Sequence, residues 1–265
     1  MKPALQLVPY DPVGSGAGIT GFNGGTYQIA ISDDPMSSTQ EASAPPKITV
    51  PLCVSTFSFF VNGKAGVMLT AAQTYAIYSG ATTAWSGVPG AAGKVAGAIT
   101  PVARNDKSGS TAIVKTLWLT KVEGTHSMCD AVLKTKGAIG YAFTGRLQRC
   151  SEQARGRCSQ ERQWPGSRAS VKEPCACHPH HPPAVPDASL ASVDFIWKAG
   201  AKTPPMVSME FAFIKKSLSG ATGRISRAFM QFMVGKVSKG AYGFKAVPPA
   251  WLNPSVTMVN KIVGA

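Results

Sequence analysis

An α/β fold with largely parallel strands is what this sequence predicts, and three observations carry the expectation. Short runs rich in β-branched and aromatic residues alternate along the chain with segments of helical spacing. One apolar run, 48–63 (ITVPLCVSTFSFFVNG), is long for a single strand and suits a buried strand crossing between two substructures. The 265 residues are 44% hydrophobic, ample for one large domain or two modest ones.

Residues 4–50 read as a short strand (LQLVPY), a Gly-rich turn (GSGAG), a short helix (ITGFNGG) and a strand (TYQIAIS) that ends in Asp-Asp-Pro. After the long apolar run, 69–80 has helical spacing at Leu69, Tyr75, Ile77 and Tyr78, with Gly80 placed as a C-cap. The stretch 91–104 offers a strand ending at Arg104. A polar turn then leads into an apolar helix containing Ile113, Leu117 and Trp118. Towards the end, 204–216 is strand-like, and 226–237 is amphipathic with Phe229, Phe232, Met233 and Val237 on one side. A turn and a short terminal helix close the chain, and there is no internal repeat.

Residues 147–186 break character with everything around them. They concentrate Arg, Cys, His and Pro without helical or strand periodicity. The segment reads either as a disordered insertion or as a stretch outside the protein's own reading frame. The abrupt return to ordinary globular composition near residue 188 favours the second reading, since a structureless connection of that length is unusual inside a compact domain.

Lys and Arg outnumber Asp and Glu by 27 to 13, a net charge of +14 that favours an anionic partner without naming it. Nucleic acid is not expected. The basic residues are scattered, and the arginine-dense stretch 146–172 lacks the series of aromatic residues that makes a stacking platform. The first residues lack the apolar core and cleavage site of a secretory signal, and no stretch is long and apolar enough to span a bilayer.

Three stretches carry candidate chemistry. In 104–111, Arg104 ends a strand and Ser108-Gly109-Ser110-Thr111 opens a helix. Helix starts present backbone N–H groups without internal partners, hydroxyls add donors, and a guanidinium fork matches two oxygens of an oxyanion. The bland alternative is a cap at Ser108 and a solvated Arg104. In 13–19, Val-Gly-Ser15-Gly-Ala-Gly-Ile, a strand again runs into a Gly-rich turn, but the spacing is not that of a dinucleotide fold. The third stretch, Ser32-Asp33-Asp34-Pro35-Met36, puts a carboxylate at a strand end. Asp33 makes sense beside an anion if the ligand oxygen bears a proton: hydrogen phosphate then donates to it, whereas sulfate only repels it. Its alternative is a turn or cap before Pro35.

These motifs occur in a specific order. Gly-Ser-Gly-Ala-Gly-Ile precedes Ser-Asp-Asp-Pro-Met; Tyr78-Ser79-Gly80 with Trp85 follows; then come Arg-Asn-Asp-Lys-Ser-Gly-Ser-Thr and Gly-Ala-Ile-Gly-Tyr at 137–141. In that order they resemble the phosphate-binding component of the high-affinity phosphate ABC transporter, over most of 8–145 and more weakly over 188–265. The resemblance implies a type II periplasmic-binding-protein fold, two α/β lobes joined by crossing strands, with phosphate buried in the cleft. It implies lobe I at 1–52 and 205–265 and lobe II at 53–204. It assigns Ser15 as a donor to phosphate, Asp33 as acceptor of the ligand's proton, and Arg104 as the charged fork. Ser108, Gly109 and Ser110 would supply hydroxyl and backbone donors. No metal, cofactor or reaction is implied. The partners would be inorganic phosphate and a membrane permease, the protein a monomer, and the location periplasmic or cell-surface. Against that family the chain begins after the expected signal peptide, first strand and first phosphate-contacting loop.

Two further clusters are discounted. Cys175, Cys177, His178, His180 and His181 are too crowded for a tetrahedral zinc site. His126 with Cys129 could pair as a nucleophile and base, but no orienting group accompanies them. A phosphate-ester hydrolase on the same cradle, and a non-functional fragment, are the remaining alternatives.

Overall fold

The long apolar run forms one strand of 15 residues, β2 (Lys47–Val61), which belongs to two halves of the molecule at once. The structure is a computed structural model and describes residues 9–64, 67, 69, 71–114, 120–122, 124–143, 207–241, 244 and 246–262. Before β2 come α1 (Ser15–Asn23), β1 (Ile29–Ser32) and α2 (Ser38–Ala42). After it come α3 (Ala71–Tyr78), β3 (Thr100–Arg104), α4 (Gly109–Val114), β4 (Thr120–Val122), α5 (Gly124–Lys134), β5 (Ala138–Phe143), β6 (Val207–Lys215), α6 (Gly220–Lys236) and α7 (Pro249–Asn260).

Among the described residues the strands line up as β1-β6-β2-β5-β3-β4. The first part of β2 pairs antiparallel with β6, from Lys47 opposite Lys215 to Thr56 opposite Val207. Its second part pairs antiparallel with β5, from Phe57 opposite Phe143 to Val61 opposite Ile139. The expectation of largely parallel strands is therefore corrected: β1–β6, β6–β2 and β2–β5 are antiparallel, and only β5–β3 and β3–β4 are parallel. Alternation of strands and helices reports element order, and a strand returning after a helix can pair in either direction.

Two buried clusters flank the crossing. One gathers Ile19 and Phe22 of α1, Ile48 to Cys53 of β2, Phe211 and Phe213 of β6, Met230 and Val234 of α6, and Trp251 and Val259 of α7. The other gathers Phe60 and Val61 at the far end of β2, Trp85, Met128 and Val132 of α5, and Ile139 and Tyr141 of β5. Burial of a side chain such as Phe60 or Phe211 contributes about 2 kcal/mol relative to its exposed state, so each cluster is a core in its own right. Trp85 Nε1 donates to the Gly137 carbonyl at 2.8 Å, which satisfies a buried indole. Gly137 has φ 74, and a Cβ there would lie 2.6 Å from the Ala98 carbonyl, so the turn into β5 requires glycine.

Local readings are refined in several places. The Gly-rich segment 14–18 is not a turn before a helix: Gly14 is the N-cap and Ser15 already the first helical residue. Ile77 and Tyr78 of α3 are buried as expected and Gly80 has φ 79, but Tyr75 is exposed. On α6 the buried face is Gly223, Ser226, Met230 and Val234, while Phe232 points to solvent. The stripe repeats every three or four residues from Gly223, a phase that aromatic content alone conceals. Leu117, Trp118 and the segment 147–186 lie outside the described residues, as do the cysteines and histidines of the crowded cluster.

Candidate functional site

The site is built where the N-terminus of α1, the end of β1 and the loop from β3 into α4 meet. Ser37 caps α2 through a reciprocal box: Ser37 N donates to Gln40 Oε1 at 2.8 Å and Gln40 N to Ser37 Oγ at 3.3 Å. Just before it, Ser32 Oγ donates to the Asp34 carbonyl at 2.6 Å and accepts from Asp34 N at 3.1 Å. This short turn fixes the backbone on either side of Asp33 as β1 ends.

Across the junction, Ser110 Oγ donates to Asp33 Oδ2 at 2.7 Å. Burial raises the Asp33 carboxyl above its ordinary range, while the Ser110 hydrogen bonds and the Arg104 charge act against that rise. Gly109 sits between the two: a Cβ there would meet Ser15 Oγ at 2.7 Å and Asp33 Cβ at 2.9 Å. Only a residue without a side chain allows this approach. Gly14 plays the same part at the next contact, where a Cβ would lie 2.9 Å from the Asp106 carbonyl and 3.2 Å from Arg104 Nη2.

The loop is held from both sides. Gly16 N donates to the Lys107 carbonyl at 3.0 Å, and Lys107 adopts φ 49, a left-handed conformation uncommon outside glycine. Behind the loop, Arg104 N donates to Tyr141 Oη at 3.3 Å, and Thr111 Oγ1 lies 2.7 Å from the same hydroxyl. The Arg104 guanidinium grips Asp106 in two places, Nε to Oδ1 at 2.9 Å and Nη2 to Oδ2 at 2.5 Å. With side chains only 11% and 21% exposed, this is a shielded, geometrically fixed pair rather than a solvated arginine.

Ser108 is the telling residue. Its side chain is 3% exposed, and its hydroxyl is one of four buried side-chain polar atoms with no hydrogen-bond partner among the described residues. A buried hydroxyl without a partner carries a desolvation cost that a bound oxygen would repay.

All six sequence-predicted residues thus come to one place. Gly109 lies against Ser15 and Asp33, Ser110 hydrogen-bonds to Asp33, Ser108 adjoins them in the chain, and Arg104 acts on Asp33 by its charge. Sequence reasoning missed Asp106, whose position two residues after Arg104 was the available signal. It also missed Glu210, an acid inside the otherwise apolar strand VSMEFAFIK. Ser55 Oγ donates to Glu210. Burial pushes Glu210 up to about 7, helped by the Asp33 charge and opposed by hydrogen bonds from Ser55 and Cys53. Burial likewise pushes the Cys53 thiol up.

The arrangement offers hydroxyl and backbone donors, a guanidinium and one acceptor around a small space: a cradle for a compact oxyanion. Among the described residues no group of three or more His, Cys, Asp and Glu side chains is placed to hold a metal. Cys129 is buried and disulfide-bonded, so its thiol is not a nucleophile.

A family model described as the PBP superfamily domain matches residues 2–174. No curated protein matches the chain. Among solved structures, a phosphate-binding protein from Stenotrophomonas maltophilia aligns with TM-score 0.70 at 17% identity, covering 92% of this chain and 85% of that one. A DING protein aligns with TM-score 0.69 at 16% identity, covering 95% and 89%. A phosphate ABC transporter substrate-binding protein with bound phosphate, from Clostridium perfringens, aligns with TM-score 0.60 at 17% identity, covering 89% and 86%. At these identities the likeness is one of fold: two α/β lobes of the type II periplasmic-binding-protein kind, joined through β2.

Proposed function

Because the chain belongs to the PBP superfamily, we propose that it captures inorganic phosphate and presents it to the membrane permease of a phosphate ABC transporter. Of the solved structures described above, the one from Stenotrophomonas maltophilia is named a phosphate-binding protein, and the one from Clostridium perfringens holds phosphate. The observation that carries the reading for this chain is the contact of Gly109 with both Ser15 and Asp33, which joins donors and an acceptor from the two sides of the crossing strand.

In this reading Ser15 and Ser108 donate hydroxyls to phosphate oxygens, and Gly109 and Ser110 add backbone N–H groups. The single hydroxyl proton of Ser110, given to Asp33 in the free protein, turns to a phosphate oxygen when the ligand's own proton takes its place on Asp33. Arg104, oriented by Asp106, supplies the positive charge. Asp33 accepts the ligand's remaining proton, which sulfate does not carry near neutral pH. The protein binds and releases without catalysis, using no metal or cofactor. Lobe I comprises 1–52 and 205–265 and lobe II comprises 53–204, in keeping with the two buried clusters. The protein works as a monomer in the periplasm or at the cell surface and does not engage nucleic acid. Among the described residues no helix is long and apolar enough to cross a membrane.

Calorimetry on the purified chain with phosphate and with sulfate tests the proposal. Saturable heat with phosphate and silence with sulfate are expected. Equal response to both anions, or to neither, would overturn it.

A further inference from the structure

Asp33 is not the only carboxylate at its end of the sheet. The β1–β6 ladder runs from Ile29 opposite Ile214 to Ser32 opposite Phe211, so Asp33 and Glu210 follow as neighbours just past its last rung. On its other side Glu210 is paired with Cys53 of β2. That pairing depends on an irregularity: Pro51 lies opposite Phe211 and Cys53 opposite Glu210, leaving Leu52 as an extra residue. A bulge of this kind re-aims the residues beyond it. Here it brings Cys53 and Ser55 onto Glu210, and both hydrogen-bond to it.

We propose that Asp33 and Glu210 hold one proton between them, carried by Glu210, and that the cleft closes on hydrogen phosphate only in that state. The inference rests on the phosphate reading above and adds Glu210 to it as a positioning residue. Like charges side by side on a sheet are unfavourable, and more so where water is scarce. Among the described residues, the titratable groups acting on Glu210 are Asp33 from the end of β1 and Cys53 from β2, and the cation acting on Asp33 is Arg104. Arg104 and the Ser110 hydrogen bonds favour the ionised form of Asp33, whereas the charge of Asp33 favours the protonated form of Glu210, so the shared proton rests on Glu210. Burial holds Glu210 near 7, within reach of ordinary solution conditions. When the pH rises, Glu210 gives its proton to solvent; when phosphate binds in that range, one proton returns from solvent to Glu210. No other bond is made or broken.

Calorimetry with inorganic phosphate from pH 6 to 9, on the wild type and on Glu210→Gln, tests the proposal. Glutamine mimics the protonated acid, and the titration of phosphate itself cancels in the ratio of the two affinities. Wild type should lose affinity relative to Glu210→Gln above about pH 7, by up to about tenfold per pH unit. Heats in buffers of different ionisation enthalpy should show uptake of a proton by the wild type alone. Ser55→Ala removes a donor that favours the ionised acid, and should move the loss to higher pH. Parallel profiles for all three proteins, with phosphate still bound, would overturn the role of Glu210 and leave the phosphate reading standing. Absence of phosphate binding in every variant at every pH would overturn both.

Discussion

Ser110 Oγ donates to Asp33 Oδ2 at 2.7 Å, a bond between residues 77 positions apart that ties the start of α4 to the end of β1. It holds a carboxylate, the least expected group for an anion site, among serine hydroxyls and beside an arginine. The first prediction follows from that placement. Asp33→Asn keeps the shape and loses the acceptor that a protonated ligand oxygen requires. Phosphate affinity should fall by about ten- to hundredfold, while sulfate, no longer repelled, should begin to bind. Competition calorimetry with both anions reads the change, and unchanged selectivity would remove Asp33 from the ligand.

Ser108 separates binding from folding. Its buried hydroxyl has no partner among the described residues, so Ser108→Ala should leave urea unfolding within about 0.5 kcal/mol of wild type or make it slightly more stable. The same change should weaken phosphate binding by about tenfold. A variant that loses stability without losing affinity would assign the hydroxyl to the fold.

Gly109→Ala tests the approach of the two sides. The added Cβ would stand 2.7 Å from Ser15 Oγ and 2.9 Å from Asp33 Cβ, distances that real methyl groups do not tolerate. The sides should be forced apart and phosphate affinity should drop at least tenfold, because the interacting groups need near-ideal distances. None of Gly109, Ser15 and Asp33 belongs to either buried cluster, so the melting temperature without ligand should shift by only a few degrees.

The free protein should also show a pH-dependent stability traceable to Glu210. Its carboxyl titrates near 4.5 when unexposed to the fold's influence and near 7 within it, so the folded state binds the proton more tightly. That stabilisation is complete below about pH 4.5 and disappears as the pH rises through 7, a change of roughly 3 kcal/mol at most. Asp33, also raised, acts in the same sense. Urea midpoints of the wild type should fall relative to Glu210→Gln across that window; parallel curves would mean that Glu210 is freely solvated.

Much of this was legible before any coordinates. The apolar run 48–63 announced a crossing strand because only a doubly paired, buried strand uses that many β-branched and aromatic residues. Ser15, Asp33, Arg104 and 108–110 could be singled out only through the order of their motifs, since each stretch alone read equally as a cap or a turn; the structure brings Ser15, Asp33 and 109–110 together. Strand direction was not legible, since pairing is decided by connections rather than local composition. Nor was the outward turn of Phe232, whose phase depends on the cluster that α6 meets. Glu210 stayed hidden because its meaning lies in a neighbour on another strand, and the extra residue at Leu52 that aligns Cys53 with it leaves no mark in the sequence.

The two cores differ in how far apart their parts lie along the chain. Among the described residues one gathers positions between 60 and 142, whereas the other joins 19–53 to 209–262. On a ribosome the first can therefore consolidate while the second still waits, its α1 and β2 exposed until β6 emerges. The segments that must wait longest for their partners are therefore the ones most exposed to misassociation during synthesis.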